Sequence, residues 1–249
     1  MKSVIVIPAR MESSRLPRKM LLAETGKTLI EHTFIAASQS LLASEVIVAT
    51  DHVDIQNAVE EFGGKAILTD PGHRSGSDRL AEVASELPQF DLFVNVQGDE
   101  PEIEGRYIDQ AIERLQQTPL AAVATLASPL RASERLRDPA CVKVVFDENF
   151  RALYFSRSPI PMPRDGAEKW LGTEPASFFQ HIGLYAYRRE YLLKIPQLPR
   201  ARIETIESLE QLRFLHAGWP IYVDIAPHAF PGIDTAEDYQ SFVRRRANC

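Results

Sequence analysis

The chain has 249 residues, 45% of them hydrophobic and 25% charged, with a net charge of -6 at pH 7 and a pI near 5.6. That length supports a single α/β domain over 1–249 with a substantial core. The acidic balance opposes nucleic acid and anionic lipid as partners, and no run of about 18 apolar residues is present to enter a membrane. Cys141 and Cys249 are too few and too far apart for a disulfide framework or a cysteine metal site, and residues 1–9 carry no long apolar leader. The expected setting is the reducing cytoplasm.

The run "SVIVIPA" at 3–9 predicts a strand. Residues 8–21, "PARMESSRLPRKML", then deliver Arg10, Arg15, Arg18 and Lys19 into one loop with little apolar to bury. Four like charges this close repel, so an ordered loop predicts an anionic partner. On an acidic protein a small anion, such as a nucleotide or a sugar acid, fits better than a polyanion; a solvated basic turn is the plain alternative. "ETGKTL" at 24–29 imitates the end of a phosphate-binding P-loop, but Leu21 stands where the first glycine is required. A turn at Gly26 and Lys27 ahead of a helix is the better reading.

An amphipathic stretch over 28–41, a strand "EVIVAT", a helix over 53–62, a strand "KAILT", a helix over 77–87 and a strand "DLFVNVQ" follow in order. Apolar strands alternating with helices predict βαβ units and a parallel sheet covered on both faces. Ligands of such sheets gather beyond the carboxyl ends of the strands, where this chain places its most polar loops. "HRSGSDR" at 73–79 offers backbone N–H groups and hydroxyls around Gly76 to a base or a phosphate, with helix capping by Ser77 as an equal alternative. "NVQGDEP" at 95–101 ends an apolar strand in acids, which predicts Asp99 as ligand of a nucleotide-associated Mg2+. The alternative sets Asp99 and Glu100 against the dipole of a helix near Tyr107.

In the second half, "AAVATLAS", "CVKVVF" and "ALYFSRS" read as strands, the last two without a long helix between them. They predict an antiparallel insertion or subdomain at roughly 140–200, and the proline-rich stretches at 158–164 and 196–199 read as loops. "IETIESLEQLRFLHAG" at 203–218 predicts one helix, with Ile203, Ile206, Leu209, Leu212 and Phe214 roughly on one side and Gly218 at its end. A last strand "PIYVDIA" and a closing helix "TAEDYQSFVRRR" complete the chain. Asp234 precedes a capping box formed by Thr235 and Asp238; beside Asp99 at one sheet edge it supplies the second carboxylate of a nucleotide-metal site. Arg157, His181 and Tyr185 are polar groups next to apolar strand runs, able to face a pocket or to serve the structure.

"IPAR", "SSRLP" with Lys19, "VATDH", "SGSDRLAEV", "VNVQGDEP", "VKVV", "ALYFSRSPIP", "HIGLYAYR", "IESLEQLR" and "GIDTAED" occur in this order along nearly the whole chain. In these motifs the sequence resembles the 3-deoxy-manno-octulosonate cytidylyltransferases, also called CMP-KDO synthetases. The resemblance implies a mostly parallel, nucleotidyltransferase-type (Rossmann-like) α/β sheet with helices on both faces and a smaller antiparallel insertion used in dimerisation. It implies a homodimer that depends on Mg2+ and joins CTP to the sugar acid 3-deoxy-manno-octulosonate (KDO), for lipopolysaccharide. By the same resemblance Ala9, Arg10, Ser14, Arg15 and Lys19 meet the triphosphate, with Arg10, Arg15 and Lys19 the catalytic cations. Ser75, Gly76 and Arg79 border the cytidine, and Asp99 and Asp234 hold the metal. Gln97, Arg157, His181, Tyr185, Glu210 and Gln211 line the sugar-acid pocket, where an arginine suits the substrate carboxylate.

One departure stands out. Where the family usually has Gly, Lys and Pro after "RLP", this chain has Arg18, Lys19 and Met20, which restricts the backbone and adds charge while keeping Lys19 in register. Two other readings are a cytidylyltransferase for a different acid, such as a sialic acid or an amino-substituted octulosonate, and a catalytically silent nucleotide-binding regulator. The presence of Lys19, Asp99 and Asp234 together speaks against the regulator.

Overall fold

The computed structural model describes residues 1–13, 15–73 and 75–247. In chain order the elements are β1 (Ser3–Ala9), α1 (Leu29–Ala37), β2 (Ala43–Thr50), α2 (Val53–Glu61), β3 (Lys65–Leu68), α3 (Gly76–Glu86), β4 (Leu92–Asn95), α4 (Gly105–Gln117) and β5 (Val123–Pro129). They continue as α5 (Ser133–Arg137), β6 (Lys143–Phe146), β7 (Ala152–Ser156), α6 (Glu168–Leu171), β8 (Phe179–Arg188), α7 (Arg189–Leu192), α8 (Arg202–Glu207), α9 (Gln211–His216), β9 (Ile221–Ile225) and α10 (Ala236–Ala247). The chain forms two compact units, one of Met1–Ile112, Ala186–Pro196 and Phe230–Cys249, the other of Glu113–Tyr185 and Gln197–Ala229.

In the first unit the strand order is β3-β2-β1-β4 with every pair parallel, as the alternation of strands and helices predicts. Val4, Ile5, Val6 and Ile7 are all fully buried. Successive strand side chains point to opposite faces, so both faces of β1 are covered, and each such side chain contributes about 1.5–3 kcal/mol. The helices start at side-chain caps: Thr28 accepts from the N–H of Glu31, His52 from that of Asp54 and Ser75 from that of Asp78. Ser75 rather than Ser77 therefore caps α3. The amphipathic stretch over 28–41 yields a helix only to Ala37, beyond which Leu41 is exposed. Tyr239 and Phe242 of α10 pack with Leu29 and Ile233.

In the second unit the order is β8-β5-β9, with β5 and β9 parallel. β6 and β7 are antiparallel, Lys143 standing opposite Ser156, in keeping with the antiparallel character predicted for this stretch. Cys141 is buried in an apolar cluster with Leu130, Leu136, Leu171 and Phe178. The pairings of the chain as a whole make it a mixed α/β protein with a mostly parallel sheet. No helix among the described residues is long and apolar enough to cross a membrane.

The single helix expected over 203–218 is two helices. Ser208 adopts the left-handed conformation (φ 51°), and Ile206, expected on the buried side, is exposed. Arg157 explains the break: its guanidinium donates to the carbonyls of Glu207 (2.7 Å) and Ser208 (3.3 Å), which a continuous helix would use internally. Glu204 and Arg213, both buried, then join α8 to α9 through two hydrogen bonds of 3.0 and 2.6 Å.

Candidate active site

β1, β2 and β4 end at one edge of the first unit, with Ala9 opposite Thr50 and Val6 opposite Asn95. The loops leaving that edge carry the basic segment, Asp51 and Gln97–Asp99. Lys19 opens a single 3-10 turn (Lys19–Leu21) and is buried. Its Nζ donates to Asp99 Oδ2 (2.6 Å), Asp234 Oδ1 (3.3 Å) and the carbonyl of Ile233 (3.0 Å). The N–H of Ile233 donates in turn to the carbonyl of Asp99 (2.9 Å), tying the segment ahead of α10 to the loop after β4. Arg15 Nη2 lies 3.0 Å from Asp234 Oδ1. Arg10, Arg15, Lys19, Gly76, Gln97, Asp99 and Asp234 all line one cavity of about 330 Å³. Gly98 gives it a close-packed floor, since a Cβ there would meet the carbonyl oxygen of Pro8 at 2.9 Å.

The chain itself supplies the anions that the basic loop was expected to seek from a ligand. Arg15 and Lys19 pair with Asp234, Lys19 also with Asp99, and Arg18 with Asp54 at 3.3 Å, while Arg10 donates to the carbonyl of His73. Repulsion within the loop is thus offset by the chain's own carboxylates. The exposed pairs are worth about 0–1 kcal/mol each; Lys19, with 9% of its side chain exposed, loses most of its hydration and needs its partners.

Two alternatives to a metal role lose their basis. α4 begins at Gly105 with no acid in its first turn, so Asp99 and Glu100 do not serve its dipole. At α10 the N–H and hydroxyl of Thr235 donate to Asp238 Oδ2, whose own N–H donates back to Thr235 Oγ1. The side chain of Asp234 takes no part in that cap. Beside Asp99, Glu100 is partly exposed overall, but its Oε2 is buried with no partner; burial, reinforced by Asp99, pushes its carboxyl up to about 8.

Ala9 is fully buried, Ser75 caps α3, and neither lines the cavity. Arg79 is also fully buried: Nη1 donates to Thr69 Oγ1 and Nη2 to Asp51 Oδ2 (3.0 Å), while Asp51 Oδ1 accepts from the N–H of Met11 (3.2 Å). Arg79 therefore reaches the basic loop through Asp51 rather than from the cavity wall. Sequence reasoning missed Asp51, although its place directly after β2, at the same edge as Asp99, marks it by the carboxyl-end rule. Ser14 and Cys249 lie outside the described residues.

The remaining sugar-site candidates belong to the second unit. Arg157 directs Nε to Glu207 O, Nη1 to Pro139 O (2.8 Å) and Nη2 to Ser208 O, so a paired grip on a carboxylate requires an exchange of these bonds. His181 is buried, its Nε2 3.0 Å from Thr125 Oγ1 and its ring centroid 5.3 Å from that of Tyr185. Burial drives its pKa down to about 3, leaving the ring neutral. Glu210 precedes α9 and Gln211 opens it, buried, directly after the Ser208 break.

Residues 4–225 match the cytidylyltransferase family. The chain is 48% identical over 246 residues to the 3-deoxy-manno-octulosonate cytidylyltransferase of Rhodopirellula baltica, covering 98% of both proteins. It is 45% identical over 234 residues to that of Escherichia coli, covering 94% of this chain and 92% of the relative. This chain belongs to the 3-deoxy-manno-octulosonate cytidylyltransferase family. A solved structure of CMP:2-keto-3-deoxy-manno-octonic acid synthetase complexed with CTP superimposes with a TM-score of 0.92 at 42% identity, covering 100% of this chain and 99% of that one.

Arg18, where the resemblance expects a glycine, has an unusual backbone. It holds φ 55° and ψ 27°, the left-handed region that glycine occupies without strain. The side chain does not line the cavity and pairs with Asp54 of α2, so Arg18 adds backbone strain rather than cavity charge.

Proposed function

We propose that this protein transfers the cytidylyl group of CTP to 3-deoxy-manno-octulosonate, giving CMP-KDO for lipopolysaccharide. The anomeric hydroxyl of the sugar releases its proton to solvent as its oxygen forms a bond to the α-phosphorus, the bond between the α-phosphorus and the bridging oxygen breaks, and pyrophosphate leaves. The observation that carries this reading, with the family, is the convergence of Lys19, Asp99, Asp234 and Arg15 on one cavity at the carboxyl edge of a parallel sheet.

Arg10, Arg15 and Lys19 act by position and charge: they bind the triphosphate and stabilise the negative charge that grows on the departing pyrophosphate. No side-chain nucleophile is needed. Gly76, at the start of α3, sits beside the cytidine with Ser75, and Arg79 supports the loop through Asp51. Gln97, Arg157, His181, Tyr185, Glu210 and Gln211 serve the sugar acid, Arg157 and the Ser208 break by holding Glu210 and Gln211 in place.

Mg2+ is the proposed cofactor. Two carboxylates directed at a single ammonium form a hard-oxygen donor set that suits Mg2+, which takes one or two carboxylates and fills its shell with phosphate oxygens and water. Asp99 and Asp234 would hold it, and bound there it would lower the pKa of the attacking hydroxyl and neutralise phosphate charge.

The protein is further proposed to work in the cytoplasm as a homodimer, with the antiparallel stretch at roughly 140–200 as the dimer element. Exposed Met162 and Trp170, close to Phe178 around an apolar hollow, support the dimer. Light scattering on the eluted protein tests it. The activity is tested by pyrophosphate release from purified protein with CTP, Mg2+ and 3-deoxy-manno-octulosonate; silence from folded protein overturns the reading. A higher kcat/KM for a sialic acid or an amino-substituted octulosonate would redirect the substrate assignment, and loss of turnover in EDTA with recovery on adding Mg2+ tests the metal.

A further inference from the structure

The hydrogens around His181 can be counted. Thr125 on β5 is fully buried, and its Oγ1 lies 3.0 Å from His181 Nε2, 3.1 Å from the carbonyl of Ile182 and 2.8 Å from that of Leu184. A hydroxyl carries one hydrogen, and both carbonyls can only accept, so that hydrogen belongs to them. Toward the ring Oγ1 offers a lone pair, and Nε2 has to donate. The ring is packed edge-on to Phe155 at 4.9 Å and tilted against Tyr185, with 9% of the residue exposed. Burial keeps it neutral, so it has one ring hydrogen to place. With that hydrogen on Nε2, Nδ1 is a bare acceptor, and among the described residues it has no hydrogen-bond partner.

We infer that Thr125 is a positioning residue that locks His181 in its Nε2–H form and so presents Nδ1 as an acceptor for a hydroxyl of the sugar acid. This rests on the proposed place of His181 in the sugar site. A ring in that state distinguishes ligands by what they donate: a hydroxyl satisfies Nδ1, whereas a deoxy or methoxy group at the same point leaves a desolvated acceptor without a partner. Thr125 acts only through the ring. It sets the sign of the hydrogen bond, which the histidine alone leaves open between its two nitrogens.

The test uses full-length protein labelled with 15N-histidine, in which long-range 15N–1H correlations identify the protonated ring nitrogen. The expected wild-type spectrum has His181 protonated at Nε2. Thr125→Val removes the acceptor; it is expected to abolish that form and to raise KM for 3-deoxy-manno-octulosonate about three- to tenfold with KM for CTP unchanged, the loss of one hydrogen bond. Thr125→Ser keeps the hydroxyl and restores both readouts. A wild-type ring protonated at Nδ1 overturns the inference even if Thr125→Val fails to fold, and so does a folded Thr125→Val protein with tautomer and KM unchanged. His181→Ala separates the two levels: an unaltered sugar KM removes the histidine from the sugar site, while the wild-type spectrum still judges the lock by itself.

Discussion

Lys19 Nζ stands 2.6 Å from Asp99 Oδ2, a contact between residues 80 positions apart that joins the loop after β1 to the loop after β4. Replacing the ammonium by an apolar group of similar length leaves two carboxylates facing each other and removes a cation from the cavity. Lys19→Met is expected to lower kcat/KM for CTP by about 100-fold or more, the scale of losing one preorganised charge-stabilising group. Steady-state pyrophosphate release measures it.

Asp234 and Asp238 are four residues apart with separate duties, one in the cavity and one in the helix cap. Asp234→Asn is expected to reduce kcat with little change in melting temperature, because Asp99 still pairs with Lys19. Asp238→Asn should leave kcat and cost about 1 kcal/mol of stability. Burial alone would raise the Asp238 carboxyl, but hydrogen bonds from the Thr235 hydroxyl and from the N–H groups of Thr235 and Asp234 outweigh it and hold the pKa below the usual value. Its contribution is therefore complete above the ordinary aspartate range and is lost as the pH falls through the lowered value. Urea titrations of both variants at pH 7 and pH 3.5 separate these duties.

Arg79→Lys cannot reach Thr69 and Asp51 with two arms of a planar fork, and it strands Asp51 next to the basic loop. The expected outcome is a loss of about 2–4 kcal/mol, typical of a broken buried pair, together with a higher KM for CTP as the Met11 N–H loses its fixed acceptor. Denaturant unfolding and CTP saturation curves measure the two effects.

His181 and Glu100 predict opposite pH slopes. His181 falls from 6.5 in the unfolded chain to about 3 in the fold, so between those values the unfolded chain binds the extra proton and stability is lost as the pH is lowered, by about 1.4 kcal/mol per unit at most. Glu100 rises from 4.5 to about 8, so the folded chain holds the extra proton in that window and stability is lost as the pH is raised. In urea unfolding at pH 5.5 and 7.5, His181→Asn should lose less on acidification than the wild type. Glu100→Gln should gain relative to the wild type at the higher pH.

Arg18→Gly relieves a left-handed backbone at the expense of one exposed ion pair with Asp54. Left-handed strain costs about 1–2 kcal/mol and such a pair returns about 0–1, so the variant should gain up to about 2 kcal/mol, less the ~0.4–1 kcal/mol of entropy that glycine adds to the unfolded chain. Activity should be unchanged, because Arg18 does not line the cavity. Thermal unfolding and turnover check both halves.

Local pattern was enough for much of this chain. Continuous apolar runs such as "SVIVI" and "LFV" can only be buried on two faces, which makes the sheet parallel and sends its polar loops to one edge; Arg10, Lys19, Gly76, Asp99 and Asp234 are visible there and line one cavity, together with Gln97, which only the resemblance marked. Only tertiary structure decided where each charge ends. It committed the donors of Arg157 to three carbonyls, split the expected helix at Ser208, buried Arg79 against Asp51 and joined His181 to Thr125. The physical reason is range: strand and helix periodicity are set by neighbours a few residues away, whereas a buried polar atom takes its partner from whatever element folding brings within about 3 Å.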